Sequence, residues 1–198
     1  HGGDEALGGY TWHVFAAMRD ANPMRYAELA LIRNSMSLTH GLDTYITAIG
    51  QGDIQMTPLQ LAYAVAAISN GGTLWKPRLA KAVVDQDRNP VKEFKPEVVR
   101  TNIVSSRSLE IVREGMRQAV TAGSAKSLDD LFFTSAGKTG TAQTGVYGKN
   151  HGWFVGFAPY EAPEIVIAVL VEEGTGGSTD AVPIAKEVLY YYFTNQNN

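Results

Sequence analysis

Apolar residues recur at intervals of three and four along several stretches of this chain, and in one stretch they occupy every position. Between Gly9 and Leu38, Trp12, Phe15 and Ala16, then Leu29, Ile32 and Arg33, keep helical spacing. Asn22-Pro23 divides that region, because proline cannot continue a helix interior, so two short helices are predicted, with a connection at His40-Gly41-Leu42. The next helix is marked at its start: Thr57 is placed to cap, Pro58 opens it, and Gln60 lies three residues after the cap. Its body, residues 59–68, is almost wholly apolar, a pattern that predicts burial on most sides at the centre of the fold. Asn70-Gly71-Gly72 ends it by supplying left-handed backbone at low steric cost.

Farther on, a strand-like "TLWKP" and a polar stretch at residues 85–89 precede a second clear helical pattern. Leu109, Val112, Met116, Ala119 and Val120 share one side of it, and Gly123 closes it. The remainder reads as sheet, in "LFFTSAGKTGTAQ", "GWFVGFAPY" and "EIVIAVLVEE", with Pro159 and Pro163 bracketing the last turn. Residues 165–171 are apolar without interruption, which suits a strand covered on both faces by helices. A final helix, with Val182, Ala185, Val188, Leu189 and Tyr192 on one side, is entered through "GTGGST". The expected fold is α/β of the α+β type: an antiparallel sheet flanked by helices.

Composition narrows the function classes. The 198 residues are 44% hydrophobic and 19% charged, as in an ordinary globular domain, and suffice for one domain. A net charge of -3 with scattered basic residues leaves no footprint for nucleic acid. Without cysteine there is no thiol nucleophile or disulfide, and His1, His13, His40 and His151 are too dispersed to make a metal site; no cofactor is expected. The seven-residue apolar run at 165–171 falls far short of the roughly 20 residues a membrane-spanning helix needs.

The candidate chemistry lies in "TSAGKTGTAQ". A phosphate-binding loop would need glycine six residues before the lysine, where this chain has Phe132. A plain strand and turn with a solvated lysine is the bland alternative. A Lys-Thr-Gly triplet on a strand is also one of three marks of serine acyl-transferases. With "IGQGDIQMTPLQLAYAVAAISNGGTLWKPRL" before it and "GWFVGFAP" after it, and with "GMRQAVTAGSA", "PEIVIAVLVEEG" and "PIAKEVLYYYF" in the same order, the chain resembles the transpeptidase domain of class B penicillin-binding proteins. The likeness runs from about Thr44 to Phe193 and implies that residues 44–198 are the C-terminal part of such a domain; residues 1–43, with helical spacing, stand unplaced.

The resemblance implies a peptidoglycan D,D-transpeptidase. Lys138 and Thr141 would serve catalysis, Lys138 by positive charge beside the nucleophile and the Thr141 N–H as an oxyanion donor. Thr139 and Thr141 would offer hydroxyls to the carboxylate of a D-alanyl terminus or a β-lactam, and Gly140 would keep the strand surface clear for the substrate backbone. The partners implied are peptidoglycan stem peptides, β-lactams, the N-terminal part of the same domain and other cell-wall synthesis proteins. The place implied is the extracytoplasmic, periplasmic face of the bacterial cytoplasmic membrane, with the anchor outside this chain.

Two marks of the family are missing. Serine three residues before lysine occurs only as Ser135–Lys138, inside the triplet's own segment, where Gly137 disfavours the required helix. Serine-x-asparagine does not occur; Ser127-Leu128-Asp129 and Ser178-Thr179-Asp180 come nearest and read as caps. No nucleophile is therefore assigned, and the chain by itself is expected to be inactive, as the C-terminal part of a transpeptidase domain. Two alternatives stay open: a non-catalytic sensor or assembly module, and an enzyme completed by another chain. "GTGGST" could form an anion-binding nest or a mobile loop.

Overall fold

The computed structural model describes residues 55–195. The helices predicted before Leu38 and the connection at His40-Gly41-Leu42 lie outside those residues. Helix α1, Pro58–Ser69, begins as its sequence dictates: the Thr57 hydroxyl accepts the Gln60 N–H at 3.2 Å, and Gln60 Oε1 accepts the Thr57 N–H at 2.9 Å. Two of the otherwise unpaired donors at a helix start are thereby satisfied. The helix stops where Gly71 and Gly72 take φ of 84° and 96°, and the Asn70 side chain ties the exit to Thr73.

Four short strands follow. β1, Leu74–Trp75, pairs antiparallel with β4, Val98–Arg100, and β2, Ala82–Val84, pairs with β3, Pro90–Glu93. The polar stretch at 85–89 is the turn of that second pair. There the Asp85 carboxylate accepts N–H groups from Asp87 at 2.9 Å and Asn89 at 2.8 Å. Helix α2, Ser106–Thr121, is capped by Ser105 and buries Leu109, Met116 and Val120. A short 3-10 turn, Lys126–Asp130, carries fully buried Leu128.

Strands β5 (Ala136–Gln143), β6 (Asn150–Ala158) and β7 (Ile165–Gly174) form an antiparallel sheet in that order, and helix α3, Val182–Asn195, closes the described chain. Side chains alternate across a sheet, so neighbours on β6 serve two separate cores. Phe154 and Ala158 pack with Val120, Leu128, Val182, Ala185 and Leu189 on the α3 side. Val155 and Phe157 pack with Val65, Met116 and Ala136 on the side of α1 and α2. β7 explains its uninterrupted apolar run: Ile165, Ile167, Val169 and Val171 join the first core, and Val166 and Ala168 join the second. The expected antiparallel sheet with helices on both faces is what the chain forms.

Two expectations need correction. Strand β5 starts at Ala136 rather than at Leu131; in residues 131–135 the aromatics turn toward α3, with the Phe133 and Phe193 rings 4.2 Å apart and those of Phe132 and Tyr190 6.1 Å apart. Local β propensity there loses to packing with a distant helix. Helix α1 buries Val65, Ala67 and Ser69, while Leu59 is 73% exposed and Ala62, Tyr63 and Ala66 line an apolar groove with Trp75 and Pro77. An apolar circumference fixes what can be buried, but burial needs a second layer, and among the described residues that layer lies only on the sheet side of α1.

Candidate functional site

Among the described residues β5 pairs with β6 alone, so there it is an outer strand with one edge of backbone N–H and C=O groups unpaired by the sheet. Its register places Lys138 opposite Val155, Thr139 opposite Phe154, Gly140 opposite Trp153 and Thr141 opposite Gly152. Alternation then divides the predicted site. Lys138 and Gly140 share the face of Ala136, toward α1 and α2, whereas Thr139 and Thr141 share the face of Phe154, toward α3. What the four residues have in common is the strand edge, not a face.

Lys138 is exposed, and its Nζ donates to the carbonyl of Thr139. Lys76, Lys149 and Lys186 each sit against a carboxylate, of Glu97, Glu173 and Asp130, but among the described residues none pairs with Lys138. The Thr139 hydroxyl lies 2.6 Å from the Ser124 hydroxyl, in the loop after α2. Thr141 Oγ1 accepts the Gly177 N–H at 3.4 Å. Behind the strand, a Cβ on Gly137 would come within 2.5 Å of the Phe154 ring, so the glycine before the lysine lets β5 lie down on the core.

The "GTGGST" segment closes around an anion of the chain itself. The Asp180 carboxylate accepts the N–H groups of Thr175 at 2.5 Å and Gly176 at 2.8 Å, together with the Thr175 hydroxyl at 3.0 Å. These bonds, Gly176 first and Thr175 next, hold the carboxyl below the ordinary carboxylate range.

Ser135 is 1% exposed; its hydroxyl has no partner, and its carbonyl accepts from Arg117 at 2.9 Å. Three residues of extended chain span roughly 10 Å, so its Oγ and the Lys138 amine do not meet. His151 Nδ1 accepts the Glu173 N–H at 3.3 Å, and no group of three His, Cys, Asp or Glu residues gathers as a metal site among the described residues. Sequence reasoning missed Ser124 and Asp180. Ser124 lies inside "GMRQAVTAGSA", and Asp180 ends a serine-x-aspartate read as a cap; nothing in their local spacing pairs either with β5.

A family model described as the penicillin binding protein transpeptidase domain matches residues 27–190, beginning inside the stretch that the sequence left unplaced. Peptidoglycan D,D-transpeptidase MrdA of Haemophilus influenzae is 32% identical over 173 residues, which cover 78% of this chain and 26% of that protein. The structure of penicillin-binding protein A from M. tuberculosis, an imipenem acyl-enzyme complex, matches with a TM-score of 0.66 and 32% identity over 75% of this chain and 33% of that one. PBP2 from Helicobacter pylori, in complex with MreC, matches with a TM-score of 0.58 and 33% identity over 77% of this chain and 27% of that one. The chain thus spans about a quarter of the length of its curated relative.

Proposed function

The chain belongs to the penicillin-binding protein transpeptidase family, and from that premise we propose that it is the C-terminal part of a peptidoglycan D,D-transpeptidase domain, contributing the Lys-Thr-Gly wall of the active site. The observation that carries this reading is a lysine on an outer strand with no carboxylate partner among the described residues, flanked along the same strand by two threonines whose side chains lie on its other face. A free strand edge pairs with an extended peptide through main-chain hydrogen bonds. An ammonium about 4 Å from a carboxylate gains about 1 kcal/mol in bulk water, and several times that once the substrate has displaced the water between them. The peptide end so held is that of a D-alanyl-D-alanine stem.

In the proposed reaction a serine from the preceding part of the domain attacks the carbonyl carbon of the penultimate D-alanine. Its proton passes to a neighbouring lysine amine, the C–N bond breaks, and terminal D-alanine leaves with a proton on its nitrogen. The amine of a second stem peptide then displaces the serine from the ester, forming the crosslink and restoring the hydroxyl. Here Lys138 steadies the carboxylate and the nucleophile's surroundings, and Thr139 and Thr141 hydrogen-bond the carboxylate. The Thr141 N–H supplies one oxyanion donor. A β-lactam takes the same route and stops at the ester. The protein would act at the extracytoplasmic face of the membrane among other cell-wall synthesis proteins; among the described residues no helix is long and apolar enough to cross a membrane.

The test is intact-mass analysis after benzylpenicillin treatment, with the full-length gene product beside the 198-residue chain. The full-length protein is expected to gain one penicilloyl adduct, and Lys138→Met to slow its formation about a hundredfold. An adduct on the 198-residue chain alone would overturn the assignment of the nucleophile to the preceding part.

A further inference from the structure

Asp180 belongs to no pair of acid and base at the proposed site, yet its carboxylate organises the segment that touches it. The two backbone N–H groups and the hydroxyl it accepts, together with its own N–H donated to the Gly176 carbonyl at 3.0 Å, fold residues 175–180 on themselves. Folded this way, Gly176 and Gly177 run as a strap over the β5–β6 ladder. At Gly177 and at Gly152 the fit leaves no room for a side chain. A Cβ on Gly177 would lie 2.3 Å from the Trp153 carbonyl oxygen and 2.5 Å from that of Gly140, and one on Gly152 would lie 2.8 Å from the Gly176 oxygen. A Cβ on Gly174 would stand 2.5 Å from Asp180 Oδ2, so glycine there admits the carboxylate.

Gly152 is the register partner of Thr141, so the strap comes down on the pair that holds this threonine. There the Gly177 N–H meets Thr141 Oγ1 at 3.4 Å, and a Cβ on Gly176 would lie 3.1 Å from the same oxygen. A hydroxyl carries one donor and two acceptor positions. With one acceptor position taken by a fixed N–H, the hydroxyl proton of Thr141 turns to another partner. We propose that Asp180 is a positioning residue which, through the Gly176–Gly177 strap, holds the Thr141 hydroxyl as a hydrogen-bond donor to the carboxylate of the bound peptide end. This rests on the reading of Thr141 as a carboxylate ligand.

A double-mutant cycle on the full-length protein tests it, reading the second-order rate of acylation by benzylpenicillin. Thr141→Val is expected to slow acylation. Asp180→Asn is expected to slow it about tenfold in the wild-type background and less than about twofold beside Thr141→Val, because two residues acting through one contact are not additive. The loss should fall on the concentration dependence and not on the limiting rate. Thr175→Val keeps the carboxylate but removes a hydroxyl it accepts from; it provides a milder second variant, with a smaller loss that again disappears beside Thr141→Val. Equal losses in both backgrounds overturn the strap and leave the carboxylate reading standing. No loss from Thr141→Val overturns both.

Discussion

At the scale of single residues, the glycines and hydroxyls around β5 carry more meaning than the lysine that first draws notice. Gly137 is set by the Phe154 ring behind it, Gly177 by the backbone of β5 and β6, and the Thr139 and Thr141 hydroxyls by Ser124 and Gly177. Gly137→Ala is expected to destabilise the protein by about 1–3 kcal/mol, because the added methyl must displace a fully buried ring or the strand. Denaturant unfolding measures this, and an unchanged midpoint would show that the sheet has slack here. The triplet itself was legible in the sequence, since its residue types and order suffice to name it. Its hydroxyl partners were not: Ser124 lies 15 positions from Thr139, and Gly177 lies 36 from Thr141.

Among the elements, those with local signals were read well. The capping box and Pro58 begin α1, the three-four spacing makes α2, and the continuous apolar run becomes β7 between two helical layers. Strands β2, β3 and β4 were not read, because they lie exposed and lack the alternation that burial imposes. What shapes their hairpin is Asp85, whose carboxyl is held below its ordinary range chiefly by the Asn89 N–H, with the Asn89 side chain and the Asp87 N–H adding to it. A carboxyl whose pKa is lowered on folding contributes stability above its unfolded value, and that contribution is lost as pH falls through the folded value. Wild type should therefore be more stable than Asp85→Asn near neutral pH. The difference should shrink below the usual aspartate range, near 3.8. Thermal unfolding across that range checks it, and a gap that widens on acidification would contradict it.

Taken whole, the described molecule is built around the three-stranded sheet with a core on each face, and β6 supplies side chains to both. Val65→Ala and Val182→Ala, on opposite sides, should each cost about 1.5–3 kcal/mol. Their sum should hold in the double variant within about 0.5 kcal/mol, since the two share no contact. A single unfolding transition is expected, and two separate ones would mean that the faces fold independently. By itself, the sequence determined the helices with caps, the doubly covered strand and the Lys-Thr-Gly triplet, because each is written in neighbouring residues or in a short period. Only the tertiary structure decided that Lys138 and the two threonines lie on opposite faces of one outer strand, that Phe132 and Phe133 turn out of the sheet toward α3, and that Asp180 fills the glycine loop. Those outcomes depend on register and on contacts between distant segments, which no local pattern encodes.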